Sequence, residues 1–299
     1  MLSIVEHPIQ SQTDQKTASG QKDRHYSIPK WTFERNQRYL IHYGMDKWKK
    51  NVYFVLVEPG EPGNIGASAR AIKNMGFRNL CLVKPPDEMT KEGRWFARNA
   101  HDVLDSAAVH DSVDQAIRDM AVVVGTSRRT GKRRGVTLPV ERGTARIRDI
   151  ASNNKVAILF GRETRGLYND EVDECGFMIK IPSSKIQPSL NLSQAVLIIA
   201  YELAKHWETM EDAHSGKQKK YDNSSLIEDL KAHGEIEPIY RKIAGVLELL
   251  EYVPRGDRNL IRNITVNLKH FIGRAGITEK ELNMLLGICT QIEKKVGKR

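Results

Sequence analysis

Between Phe160 and Tyr201 the chain reads FGRETRGLYNDEVDECGFMIKIPSSKIQPSLNLSQAVLIIAY, and the rest of the chain is organised around this stretch. The apolar run Val156–Phe160 breaks into Gly161-Arg162-Glu163. A second apolar run, Phe177–Ile181, leads into a loop of Pro, Ser and Lys that closes on Ser189-Leu190-Asn191. Those residues open an apolar helix expected to run to Ala204. Two loops at the carboxyl ends of two strands, one feeding a helix N-terminus, are where open α/β sheets hold ligands.

The rest of the chain supplies the other layers of such a sheet. Val52–Val57 (VYFVLV) is a continuous β-branched and aromatic run, the form of a buried parallel strand. A Gly/Pro turn follows, then a helix expected near Asn64 with Ile65, Ala69 and Ile72 on one face and Gly76 as its cap. Leu80–Val83, Ala121–Gly125, Val156–Phe160 and Phe177–Ile181 complete five expected strands, with a helix over Val113–Met120 and irregular to helical chain over 85–110. Short apolar strands alternating with helices predict a parallel, doubly wound α/β sheet over residues 51–207. Residues 1–50 read as a mostly disordered extension with a short helix near Trp31–Tyr39, and Met45 offers a second start. Residues 208–224 form a polar linker. In 225–299 three apolar stripes, one on each predicted helix, make a small α-helical module. The stripes are Ile239/Ile243/Leu247/Leu250, Ile261/Ile264/Leu268/Phe271 and Leu282/Leu285/Cys289/Ile292.

The formal net charge of +10 favours an anionic partner such as nucleic acid. Residues 128–148 concentrate it, with eight Lys or Arg against the single acid Glu141. Such a segment either neutralises phosphates or is a solvated basic loop. Three isolated cysteines, with no CxxC pair or Cys/His spacing, point to no metal and to a reducing cytoplasm. The longest apolar helix is too short and too polar to span a membrane.

Gly60, Gly63 and Gly66 are spaced GxxGxxG rather than GxGxxG, and no GxxxxGK[ST] occurs. The dinucleotide reading, an oxidoreductase, therefore lacks its fingerprint. Asn64 reads either as an N-cap or as a site residue, and Arg70, six residues on, either as a surface ion-pair partner or as a functional cation. Glu163 reads as a helix-start carboxylate or as a group orienting neighbouring loops. Asn191 would cap the last apolar helix and leave Ser189 at its mouth.

Three motifs, Asn64-x-Gly66-x-x-x-Arg70, Gly161–Leu167 and Ser189-Leu190-Asn191-Leu192-Ser193, occur in the order found in SPOUT-class RNA 2′-O-methyltransferases. The match covers roughly Val52 to Ala204. Within that class the chain most resembles the tRNA enzymes that methylate nucleotide 32 of the anticodon loop, and the C-terminal helices look like that group's extension. The resemblance implies a parallel sheet with a C-terminal trefoil knot, a homodimer, tRNA as partner and S-adenosylmethionine held by loop backbone. It places cofactor contacts on Thr126, Ser127, Arg128, Gly161, Ile181, Pro188, Ser189 and Leu190. Catalytic roles fall on Arg70, Ser189 and Asn64, and RNA contacts on Arg70, Glu163, Arg129, Arg133 and Arg134. A methyltransferase of another tRNA position or of rRNA keeps the same motifs. A non-catalytic RNA-binding protein would lose Arg70, Asn191 or the pocket glycines, and all are kept.

Overall fold

The computed structural model describes residues 47–86, 91–129, 131, 134–205, 229–252 and 259–296, apart from the side chain of Glu92. The helix expected near Trp31–Tyr39 and the linker 208–224 lie outside the described residues.

The expected parallel α/β architecture is present, with seven strands among the described residues rather than five. They are β1 (Val52–Val57), β2 (Asn79–Val83), β3 (Ala108–His110), β4 (Val122–Thr126), β5 (Thr137–Pro139), β6 (Val156–Phe160) and β7 (Phe177–Lys180). Their spatial order is β3-β2-β1-β6-β4-β7-β5, and every neighbouring pair is parallel. The two strands that sequence patterning missed, β3 and β5, are three residues each and form the two edges. Pro139, which has no N–H to donate, ends β5 where it does not break an interior ladder.

Both faces of the sheet are covered, which explains the unbroken apolar runs. Alternate residues of β1 point to opposite sides. Phe54 and Leu56 join one core and Val55 and Val57 the other. Helices α1 (Pro62–Asn74), α3 (His101–Asp105), α5 (Val140–Ala151) and α7 (Leu192–Lys205) pack on the first face through Ile65, Val103, Ile147, Ile199 and others. Helices α4 (Val113–Ile117) and α6 (Asn169–Asp173) cover the second with Ile117 and Val172. A further short helix, α2 (Lys91–Phe96), lies against α1. Each fully buried Val, Leu, Ile or Phe side chain contributes about 1.5–3 kcal/mol.

Several boundaries differ from the sequence reading. Lys47–Asn51, at the end of the stretch expected to be an extension, is a 3-10 turn. It buries Trp48 edge-on against Phe77 at 5.6 Å. α1 begins at Pro62, two residues before Asn64, because proline's fixed φ suits a first helical position. Asn64 is therefore not its N-cap. Gly76, with φ +77, follows the helix in the left-handed conformation. Half of the basic segment 128–148 is not loop: residues 137–139 are strand, and α5 buries Val140, Gly143, Thr144 and Ile147.

The C-terminal helices α8 (His233–Leu249), α9 (Leu260–Ala275) and α10 (Glu279–Val296) share their own core of Ile236, Ile239, Tyr240, Val246, Ile272, Leu282 and Cys289. The predicted stripes are broadly right, with two exceptions: Leu250 is 44% exposed past the end of α8, and Phe271 is 64% exposed while its neighbours His270 and Ile272 are buried instead. α9 lies directly on the sheet domain. A Cβ at Gly273 would come within 2.8 Å of the Gly176 Cα, so the two glycines let backbone meet backbone just ahead of β7. The His233 N–H donates to the Met120 carbonyl at 2.8 Å, and that of Leu230 to Asn154 Oδ1 at 2.8 Å.

Charge completes this seam. Lys269 Nζ lies 2.6 Å from Glu174 Oε1, and His233 Nε2 lies 3.2 Å from Glu174 Oε2. Burial would raise the Glu174 pKa, but the His233 and Lys269 groups beside it hold the carboxyl below its usual range. A depressed folded-state pKa contributes stability above the unfolded value, and that stability is lost as pH falls through the folded value. Lys269→Met should therefore lower denaturant stability at pH 7 by about 1–3 kcal/mol, since it strands a largely buried carboxylate. The deficit relative to the parent should shrink below about pH 4 as Glu174 protonates, which urea titrations at the two pH values would show.

Candidate active site

The loops after β4, β6 and β7 converge at the carboxyl ends of the central strands, together with the N-terminus of α7. Between them lies a cleft. It is lined by all eight positions expected to contact a cofactor: Thr126, Ser127, Arg128, Gly161, Ile181, Pro188, Ser189 and Leu190. Glu163, Arg129 and Arg134 line it too. Phe160, Leu167, Leu192 and Ala195 add apolar surface. Arg133 lies outside the described residues, and Asn64 and Arg70 lie outside the lining of the cleft.

Asn64 is nevertheless tied to it. Its Nδ2 donates to Glu163 Oε1 at 2.8 Å, and the Gly60 N–H donates to Glu163 Oε2 at 3.1 Å. Asn191 Nδ2 in turn donates to Asn64 Oδ1 at 2.8 Å. The three motifs, remote in sequence, are thus joined by one chain of hydrogen bonds. Glu163 acts as the loop-orienting group rather than as a dipole partner at a helix start: the next helix, α6, begins only at Asn169.

Asn191 also caps α7. Its Oδ1 accepts from the Ser193 N–H at 2.9 Å, and Gln194 Oε1 accepts from the Asn191 N–H at 3.3 Å, a reciprocal cap. Ser189 is exposed, and its hydroxyl makes no hydrogen bond among the described residues.

The β4 turn is built differently from expectation. Its donors are largely committed to the protein itself. The Ser127 N–H donates to the Ile179 carbonyl at 3.0 Å, Thr126 Oγ1 to the Leu159 carbonyl at 2.9 Å, and the Arg129 N–H to Ser127 Oγ at 3.0 Å. Arg134 Nη1 donates to the same Ser127 hydroxyl at 3.0 Å. Burial and the neighbouring Arg129 lower the Arg134 pKa, yet a guanidinium stays charged. The turn is therefore rigid and cationic, with Arg128 and Arg129 exposed at its rim.

Sequence reasoning assigned no role to Arg162, which frames the second motif. Its side chain is only 10% exposed. Nη1 and Nη2 donate to the two Glu171 oxygens at 3.0 and 2.9 Å, and Nε donates to Glu58 Oε2 at 2.8 Å. The guanidinium stacks 3.9 Å over the Tyr168 ring. Burial works against its charge, but its hydrogen bonds to Glu58 and Glu171 more than offset this and raise its pKa. Glu58 is brought to this position by a left-handed backbone, φ 45, at the end of β1. Gly161 permits the loop to fold back on itself, since a Cβ there would strike the backbone of Gly166 and Leu167. No local signal marks Arg162, because Glu58 lies 104 residues away.

Arg70 stands apart. It is exposed on α1 and makes no ion pair or hydrogen bond among the described residues, so the surface ion-pair reading fails. A fixed cleft, flanked by uncommitted arginines and an uncommitted serine hydroxyl, suits a ligand that is part apolar and a second one that is anionic.

Known proteins resemble this chain in sequence and fold. Residues 51–201 match the SpoU rRNA Methylase family. The chain is 35% identical over 242 residues to the tRNA (cytidine/uridine/adenosine-2'-O-)-methyltransferase TrmJ of Pseudomonas aeruginosa, covering 80% of this chain and 93% of that protein. To the tRNA (cytidine/uridine-2'-O-)-methyltransferase TrmJ of Sodalis glossinidius it is 37% identical over 246 residues, 81% of this chain and 91% of the relative. Among solved structures, TrmJ from Z. mobilis ZM4 superposes with a TM-score of 0.65 at 28% identity, covering 81% of this chain and 98% of that one. The likeness to RNA methyltransferases read from the three motifs thus holds. On the family match and on relatives that align along four fifths of its length, this chain belongs to the SpoU methylase family.

Proposed function

We propose that the chain transfers a methyl group from S-adenosylmethionine to a ribose 2′-OH of tRNA in the cytoplasm, with nucleotide 32 of the anticodon loop as its target. The observation that carries this reading is the hydrogen-bonded joining of three motif loops around one cleft, in a chain whose relatives are named tRNA 2'-O-methyltransferases. The cleft fits the cofactor's chemistry. Phe160, Leu167 and Leu192 offer an apolar wall for a purine, and the loop backbones at Gly161, Ile181 and Leu190 offer polar groups around it. When bound, the cofactor supplies a methyl group already activated on a sulfonium.

What remains for the protein is chiefly alignment, which is worth about 7–11 kcal/mol when two reactants are held in register. Ser189, at the mouth of α7, positions the ribose. Arg70 binds the adjacent phosphate, and its charge lowers the pKa of the 2′-OH. A guanidinium is a poor base, so we assign Arg70 this electrostatic role rather than proton acceptance. Asn64 and Glu163 hold the loops that carry these groups. Arg128, Arg129, Arg133 and Arg134 neutralise backbone phosphates and give affinity without sequence preference.

We also assign a homodimer, in which Arg70 of one protomer serves cofactor held by its partner. Leu197, 40% exposed, and Tyr201, 51% exposed, present apolar surface on α7 and support this reading. Arg70 lies outside the lining of the cleft of its own chain, which supports it further.

Incubation with labelled S-adenosylmethionine and tRNA lacking ribose methylation should give a 2′-O-methyl mark at position 32, mapped by mass spectrometry. A mark at another nucleotide would reassign the target, and no transfer to tRNA or rRNA would favour an RNA-binding role. Arg70→Ala should reduce transfer at least about 100-fold while calorimetry shows nearly unchanged cofactor affinity. Equal loss of both would overturn its role. Glu163→Gln keeps one acceptor but turns an amide towards a donor, so kcat/KM should fall about tenfold or more with the protein still folded by circular dichroism.

A further inference from the structure

α2 carries two aromatic side chains that the fold does not use. Trp95 is 68% exposed and Phe96 38% exposed, their rings edge-to-face with centroids 5.2 Å apart. An exposed tryptophan is informative when the backbone beneath it is fixed, because it is then held out rather than merely left out. Here the backbone is fixed. Arg94 Nη2 pairs with Asp105 at 3.0 Å, and the His101 ring nitrogen bonds the Arg94 carbonyl at 2.9 Å. Gly93 and Ala97 are buried, and a Cβ at Gly66 of α1 would strike the Gly93 carbonyl. α2 therefore sits backbone-to-backbone on α1.

That seat is one helical turn from Arg70. Gly66 and Arg70 are four residues apart and share a face of α1. Side chains on a helix lean towards its N-terminus, so Arg70 leans towards the end of α1 on which α2 rests. Arg98, just past α2, is exposed and, like Arg70, makes no ion pair among the described residues. An exposed aromatic pair on a fixed seat, with the uncommitted guanidinium of Arg98 two residues on, matches one chemistry well: an unstacked nucleobase with its phosphate.

We propose that Trp95 and Phe96 form a stacking platform for an unpaired nucleobase of the RNA substrate. The proposal rests on the RNA methyltransferase reading and adds to it a means of selection. Bases inside a duplex hide their faces and cannot use the platform, whereas a loop base can. The enzyme would thus select a looped ribose before any base identity is read.

The test compares the full-length parent with Trp95→Ala and Trp95→Phe. Dissociation constants are read by fluorescence anisotropy for an RNA hairpin with an unpaired loop and for a blunt duplex of equal length. Cofactor affinity is read by calorimetry and mass by light scattering. Trp95→Ala should weaken hairpin binding about tenfold, leave duplex and cofactor binding unchanged, and keep the parent's mass, with Trp95→Phe restoring most of the loss. Hairpin affinity within twofold of the parent, an equal loss on duplex, or a change of mass that accounts for the loss would each overturn the platform. So would a parent protein that binds no hairpin. Because binding is read without turnover, a parent that needs Trp95 for hairpin RNA yet transfers no methyl group would refute the enzymatic reading and leave the platform standing.

Discussion

A single carboxylate holds together loops that the chain lays down about a hundred residues apart. Glu163 accepts from the Gly60 amide and from Asn64, and Asn64 accepts from Asn191, across sequence separations of 103, 99 and 127. Strands of a twisted sheet fan apart at their ends, so loops leaving them diverge unless something draws them together. In this protein that tie is polar and continuous, and its Asn64–Glu163 bond is partly buried. Each member also satisfies another, and such networks are worth more than their separate bonds. The tie joins two of the loops that line the cleft, those after β6 and before α7, to the turn after β1.

Arg162 supports the tie from behind. It meets two carboxylates and an aromatic ring with its whole guanidinium face, a set of contacts that lysine cannot reproduce. The charged groups of the site thus divide by environment. Arg162 is enclosed and fully paired, and gives shape. Arg70, Arg128 and Arg129 are exposed and face outward. A similar division marks the serines, with Ser127 bonded into its turn and Ser189 uncommitted.

The parts of this molecule legible in the sequence are those written in contiguous residues. VYFVLV, AVVVG and VAILF declare themselves as strands because a strand buried on both faces needs no polar alternation. The edge strands AVH and TLP do not, being three residues long and only partly buried. α1 was placed late because Asn64 looks like a cap, whereas Pro62 sets the start and Asn64 turns towards Glu163. The lining of the cleft was legible through motif order. The roles of Arg162, Glu58 and Glu171 were not, since a salt bridge between distant segments leaves no spacing to read. Phe271 shows the same limit at short range, where a helical stripe gave its neighbours' burial to the wrong residue.

The strand order has a consequence for how the protein is made. β6 lies between β1 and β4, both of which precede it in the chain, and β7 lies beyond β4. As the polypeptide emerges from the ribosome, β1 and β4 therefore lack the partner that joins them until residues 156–160 have appeared. Until then two apolar edges stand open, each a surface on which another nascent chain could pair. Long-range parallel pairing is also slow to form, because loop closure precedes the contacts that reward it. The architecture that brings three distant motifs to one point thus delays the sheet's completion, and places its most vulnerable interval during synthesis rather than after it.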